Sequence, residues 1–252
     1  MKKIVLIIFF FLFIAQLSAH NTPIERFKAG NEAYEKNDFE TAISTYEDLL
    51  SAGYFSATLH YNLANAYFKH GNNTMAILHY EKALKIQPNF KDAAHNLEIA
   101  NSRTIDKVEA IPHLFFYRWW KAIYNSFSIT GWSTLLFTFL FLATIGFGIY
   151  FLGHQRKLRK NAFYGATTAV FLALICWGMA DAQYKSLKAI DYAIIIKPTV
   201  NINSSPSEGS SKIFVLHQGT KVKIESRKDD WVNVSLPNGN KGWIKDEKVE
   251  GI

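Results

Sequence analysis

Apolar residues gather in three long runs, at 4–14, 129–152 and 162–180, with amphipathic sequence between them. From 21 to 101 the apolar positions recur at the spacing of helices packed through one face. From 194 to 252 the period falls to two, in short runs such as Thr199-Val200-Asn201-Ile202-Asn203 and Trp231-Val232-Asn233-Val234-Ser235-Leu236, separated by Gly, Pro, Asn and Ser. The pattern predicts a multi-domain membrane protein: an all-α array, a two-helix hairpin and an all-β barrel of five short strands. Because those strands and their turns all fall within 194–252, the barrel is expected to fold as a unit.

The first run follows Met1-Lys2-Lys3 and precedes Leu17-Ser18-Ala19, the layout of a signal peptide over 1–19. An uncleaved anchor helix is the alternative, and either one exports the chain beyond residue 19. Residues 131–152 would extend about 33 Å as a helix and 162–181 about 30 Å, each enough for one bilayer crossing. Asp181 closes the second run, where its carboxylate can reach headgroup water. The connection at 153–161 carries Arg156, Lys157, Arg159 and Lys160 and no acidic residue. By the positive-inside rule it is cytoplasmic, which places both flanking domains on the other side, in agreement with the leader. Residues 102–130 form a juxtamembrane segment crowded with aromatics around Arg118 and Lys121, the composition of an interfacial helix, and 182–193 is a linker. Gly165, Ala169 and Ala173 make a small-residue row suited to packing the two spans together. The resulting expectation is an inner-membrane protein whose two domains are periplasmic.

The net charge of +7 changes little once it is located. Residues 20–110 are net acidic, and the basic excess flanks the apolar runs. That is a topology signal rather than the basic face of a nucleic-acid binder. Cys176, the single cysteine, lies in the third run, so no intrachain disulfide can form.

Residues 23–56 and 57–90 align with a period of about 34 residues. Ala42 matches Ala76, Ile43 matches Ile77, Tyr46 matches Tyr80 and Leu50 matches Leu84. Asn37 and Gly71 fall at the turn between paired helices, where a left-handed residue is needed. The second copy, with Leu63-Ala64, Tyr67, Gly71, Ala76, Tyr80, Ala83-Leu84 and Pro88, strongly resembles the tetratricopeptide repeat (TPR) family; a third start at Ala94-His95-Asn96-Leu97 reads as a capping helix. The resemblance implies a concave protein-binding face showing Asn31, Tyr34, Tyr61, Asn62, Asn65, Phe68, Lys69, His95 and Asn96. Some relatives clamp a terminal carboxylate with basic groove residues. Asn31 and Asn62 fit that pattern, but Phe27, Asp92 and Asn96 stand where cations are expected, so no such clamp is inferred.

The C-terminal order Val200-x-Ile202, Pro206, Leu216-x-x-Gly219-Thr220-x-Val222, Trp231-x-x-Val234, Gly239 and Gly242-Trp243-Ile244 resembles bacterial SH3 domains. Some of these bind cell-wall peptides, which would make Trp231 and Trp243 a ligand groove; equally, both rings could be barrel walls.

No nucleophile with a base and orienting group, phosphate loop or metal-ligand spacing appears, and the eight histidines are scattered. A non-enzymatic protein without cofactor or metal is expected. The complete order of leader, repeats, aromatic-basic segment, hairpin and barrel resembles the BatE family of the Bacteroides aerotolerance operon, particularly at Arg118-Trp119-Trp120, Ser204-Ser205-Pro206 and Leu216-His217-Gln218-Gly219-Thr220-Lys221-Val222. That resemblance implies an envelope complex with von Willebrand A-domain membrane proteins and a MoxR-type ATPase, linked to stress tolerance. Two functions stay open: an envelope scaffold gripping a protein partner in the repeat groove, and a cell-wall sensor whose barrel binds peptidoglycan.

Overall fold

The computed structural model describes residues 22–108, 115–189 and 191–252; the leader at 1–19 lies outside the described residues. Among the described residues five helices come first: α1 (Pro23–Glu35), α2 (Phe39–Ser51), α3 (Ala57–Lys69), α4 (Asn73–Ile86) and α5 (Lys91–Ser102). Their starts are written locally. Thr22 and Glu25 form a reciprocal capping box ahead of α1, and Asp38, Ser56 and Asn72 cap the next three helices through their side chains. At the two intra-repeat turns Asn37 takes φ 61° and Gly71 φ 92°, the left-handed values the turn requires. Ala42 and Ala76 are fully buried where paired helices cross, among Tyr46, Leu49, Leu63, Ile77 and Tyr80.

Beyond the array, α6 (Phe115–Tyr124) leads into α7 (Ile129–Leu152) and α8 (Arg156–Lys188), an antiparallel hairpin. Both long helices are sufficiently long and apolar to cross a membrane. They present large apolar side chains outward, Phe137, Phe141, Phe171 and Trp177 among them, as a soluble core helix would not. Helix α8 starts earlier than expected, so the connection shrinks to 153–155 and the basic cluster sits on its first turns. Arg159 then donates from Nε to the Tyr150 carbonyl, 2.9 Å away, near the end of α7. The small-residue contact differs by one position from the expected row. Ala169 and Ala173 are buried, but Gly165 is exposed with open space around it, and Ala166 faces the partner helix instead. A Cβ at Gly146 would come within 2.9 Å of the Ala166 Cβ, so the close crossing depends on that glycine.

The C-terminal unit is an antiparallel sheet of seven strands, β1 (Tyr192–Ile195), β2 (Thr199–Asn203), β3 (Lys212–His217), β4 (Lys221–Lys228), β5 (Trp231–Ser235), β6 (Lys241–Lys245) and β7 (Val249–Gly251), ordered β3-β2-β6-β5-β4-β1-β7. The two strands beyond the expected five are β1 and β7, and β1 starts inside the segment read as linker. Its Ala193-Ile194-Ile195 lacks alternation for a physical reason: both faces are buried. Ala193 and Ile195 enter the barrel core, while Ile194, with Ile252, joins the core of the helical array.

That shared strand fixes the helical array and the barrel to each other. Glu81 of α4 pairs with Lys221 at 2.6 Å, and Lys85 Nζ donates to the carbonyls of Ala189 and Ile252, both at 2.6 Å. A strap following α5 adds a second attachment. Asp106 accepts from the His217 backbone N–H at 2.6 Å and the Thr220 hydroxyl at 2.7 Å, with His217 Nδ1 at 2.8 Å, while Val108 packs on the barrel core.

Candidate functional site

Four of the expected groove residues, on α1 and α3, come together in one pocket. Asn31, Tyr34, Asn62 and Asn65 converge with Glu35 and Tyr46 around a pocket of about 190 Å³. The asparagines are held by a hydrogen-bond unit that repeats with the sequence. Asn31 Oδ1 accepts from the Tyr46 hydroxyl at 2.7 Å and from Asn62 Nδ2 at 2.9 Å. One repeat on, Asn65 Oδ1 accepts from the Tyr80 hydroxyl at 2.5 Å and from Asn96 Nδ2 at 3.0 Å. Each unit ties one helix to its own partner and to the next repeat.

This use divides the amides chemically. One side-chain oxygen each of Asn31 and Asn65, and one amide nitrogen each of Asn62 and Asn96, are committed to holding the repeats in register; Asn31 Nδ2, Asn62 Oδ1 and Asn65 Nδ2 remain as donors and acceptors at the pocket. Burial pushes the Tyr46 phenol up to about 12, and the Tyr80 phenol also rises, so both stay protonated donors. The pocket therefore presents both hydrogen-bond polarities beside the Tyr34 ring.

The remaining groove residues divide into two groups. Tyr61 is half-buried against Phe90, ring centroids 4.8 Å apart, and its hydroxyl lies 3.3 Å from Asn96 Nδ2. Phe68 lies under the Arg103 guanidinium at 4.2 Å. Lys69 and His95 are exposed and lie outside the pocket lining. Sequence reasoning missed Tyr46 as a pocket residue and Tyr80 as its buried counterpart in the second hydrogen-bond unit, although their repetition was the signal, and missed Arg103 over Phe68, which no repeat position marks.

The scattered histidines include one close pair. His60 and His79 face each other inside the array with Nδ1 atoms 3.0 Å apart, and the Tyr67 ring stacks on His79. Burial lowers both imidazole pKa values, so they are neutral, one donating to the other. Among the described residues no group of three or more His, Cys, Asp or Glu side chains is placed to hold a metal ion.

In the barrel, Val232, Val234, Gly242 and Ile244 face inward, and Trp231 and Trp243 lie on the opposite face of β5 and β6. Asn233 pairs with Trp243 across the strands and sits between the two tryptophans. Among the described residues its buried Oδ1 has no hydrogen-bond partner.

No curated protein matches the chain. Residues 57–90 match the family model of the tetratricopeptide repeat, a protein-binding module, and residues 198–249 match that of the bacterial SH3 domain, a module associated with the cell wall.

Proposed function

We propose that the protein is a non-enzymatic envelope scaffold that holds a protein partner in its repeat groove while the α7–α8 hairpin anchors it in the inner membrane. The observation carrying this reading is the asparagine unit spanning Asn31, Tyr46 and Asn62, which leaves donors and acceptors free around a pocket walled by Tyr34. Side-chain amides beside an aromatic ring suit an extended or helical peptide segment. The Arg156 to Lys160 cluster supports a cytoplasmic connection, with array and barrel both periplasmic. The BatE resemblance makes von Willebrand A-domain membrane proteins the candidate partners, in a stress-linked complex.

The deciding experiment is co-purification of envelope proteins with the full chain, with a groove variant and with the barrel deleted. A partner kept by the folded groove variant and lost with the barrel overturns the reading. Reporter fusions after Ala110 and Ile252 should be active in the periplasm, and one after Arg159 should not.

A second reading, a cell-wall sensor, is supported by the match of residues 198–249 to the bacterial SH3 domain and by Trp231 and Trp243 sharing one face of β5 and β6. Binding of purified peptidoglycan to the full chain, lost in Trp243→Ala, tests it.

A further inference from the structure

A second cavity, of about 610 Å³, lies where the array, the barrel and the hairpin meet. Its membrane-side wall is formed by Trp120 and Tyr124 of α6, Ile129 at the first turn of α7 and Gln183 on α8. Gln183 lies two residues past Asp181, where the apolar run of α8 ends, and Ile129 is where that of α7 begins. The cavity therefore sits at the level where the two spans leave the apolar layer, and Trp and Tyr are the rings that favour that level.

The opposite wall is charged in balance. Glu81 and Asp191 bring carboxylates and Lys85 and Lys221 ammonium groups; Glu81 and Lys221 pair with each other and Lys85 Nζ holds the Ala189 and Ile252 carbonyls, so each ammonium meets a ligand through its remaining N–H groups. A headgroup of net negative charge would meet two carboxylates there. A headgroup carrying both a phosphate and an ammonium finds a partner for each.

Gln183 discriminates further. Its Nε2 donates to the carbonyls of Tyr124 at 2.6 Å and Phe127 at 2.9 Å, suturing the α6–α7 turn to α8. Among the described residues its buried Oε1 has no hydrogen-bond partner. A primary ammonium can donate to such an oxygen, and a quaternary ammonium has no hydrogen to give.

We propose that this cavity binds the headgroup of an aminophospholipid of the phosphatidylethanolamine type, with the phosphate toward Lys85 and Lys221 and the ammonium toward Asp191 and Gln183. The proposal rests on the reading of α7 and α8 as membrane spans. A bound headgroup would join three elements that otherwise meet around a void, locking the extramembrane domains at a fixed height above the bilayer.

The test uses the full chain, purified in detergent and stripped of lipid, with phosphatidylethanolamine, phosphatidylcholine and phosphatidylglycerol of identical acyl chains added back. Native mass spectrometry reads the bound lipid and a thermal melt reads stabilisation. The expected result is a preference of about tenfold for the ethanolamine lipid over both others. In Asp191→Asn, whose exposed side chain can be changed without disturbing a core, that preference should narrow severalfold while the lipid-free melt stays unchanged. Equal binding of all three lipids, preference for the glycerol lipid, no lipid retained by the folded chain, an unaltered ratio in Asp191→Asn, or equal stabilisation by water-soluble glycerophosphoethanolamine each overturns it. Alkaline carbonate extraction separates the two readings: release from membranes defeats the membrane-spanning reading, whereas an integral protein without the lipid preference defeats this one alone.

Discussion

Glu81 in the second repeat and Lys221 in the barrel, far apart in sequence, close an ion pair at 2.6 Å across a junction that also buries Ile194 and Ile252 in the helical core. The barrel is therefore only part of a larger folded body. A fragment of 194–252 lacks Tyr192 and the buried Ala193, and it exposes both isoleucines to water. Burying an isoleucine contributes about 1.5–3 kcal/mol, so the fragment should be less stable than the same residues in the full chain by about 3 kcal/mol or more. Chemical denaturation of the two, followed by Trp231 and Trp243 fluorescence, checks this. Equal midpoints would mean that the junction contributes nothing.

The strap makes the junction sensitive to acid. Burial alone would raise the Asp106 carboxyl, but hydrogen bonds from Thr220 and His217, with the charge of His217, outweigh it and hold the group below the usual carboxylate range. A carboxyl depressed by folding stabilises fully above its unfolded value of about 3.9, and that contribution fades as pH falls through the folded value. Asp106→Ala should cost about 1.5–3 kcal/mol at neutral pH, the range for hydrogen bonds to a charged group. Its gap from wild type should close below about pH 3.9. Urea titrations across that range measure it, and a gap independent of pH would show that the carboxylate charge is irrelevant.

A different acid response belongs to the array interior. His60 and His79 are both lowered by burial, with His79 lowered further by its neighbour, so the unfolded chain binds their protons first as pH falls. Stability from the pair is complete above the unfolded value of about 6.5 and declines below it, at up to about 1.4 kcal/mol per pH unit for each imidazole. Replacing His79 by Phe, which keeps a ring against Tyr67, should flatten the stability profile of the array between about pH 5 and 6.5. An unchanged slope would mean that the imidazoles do not titrate differently on unfolding.

Legibility in the sequence tracks locality. Asn37, Gly71, Ala42 and Ala76 announce the repeat because each answers a local demand for a turn or a close crossing, and the helices stand where those residues put them. The asparagine positions are equally legible, but not their use: the Asn31–Asn62 bond spans neighbouring repeats and appears only once the superhelix is built. The strap and the Glu81–Lys221 pair join residues more than a hundred positions apart and leave no periodic trace. Strand β1 is hidden for the opposite reason. Burial on both faces removes the alternation by which strands are recognised, leaving Ala193-Ile194-Ile195 without a readable period.

The groove hypothesis needs a variant that removes binding without loosening the array, and the hydrogen bonds decide which one. Asn62→Ala with Asn65→Ala breaks the bond from Asn62 to Asn31 and leaves the Tyr80 hydroxyl and Asn96 amide without their acceptor. At about 1 kcal/mol for each lost bond, that double variant should lower stability by roughly 2–3 kcal/mol, so any loss of partner would be ambiguous. Tyr61 and Phe68 are little better, being packed against Phe90 and beneath Arg103. Tyr34 is the most informative position, because it walls the pocket without joining the asparagine hydrogen bonds, although its ring packs on the array core and meets Phe39 edge-on at 5.5 Å. Tyr34→Ala should weaken the partner by about 2 kcal/mol, roughly thirtyfold, as removal of an aromatic anchor does. Because the ring also packs on the array core, Tyr34→Ala will lower the melting temperature too, and its affinity is judged against that shift. Tyr34→Phe should retain most of the affinity, since the ring face supplies the buried area. Quantitative capture of the partner beside thermal melts of all three variants provides the measurement. If Tyr34→Ala binds as wild type does while the double variant fails only in proportion to its lost stability, the concave face is not where the partner sits.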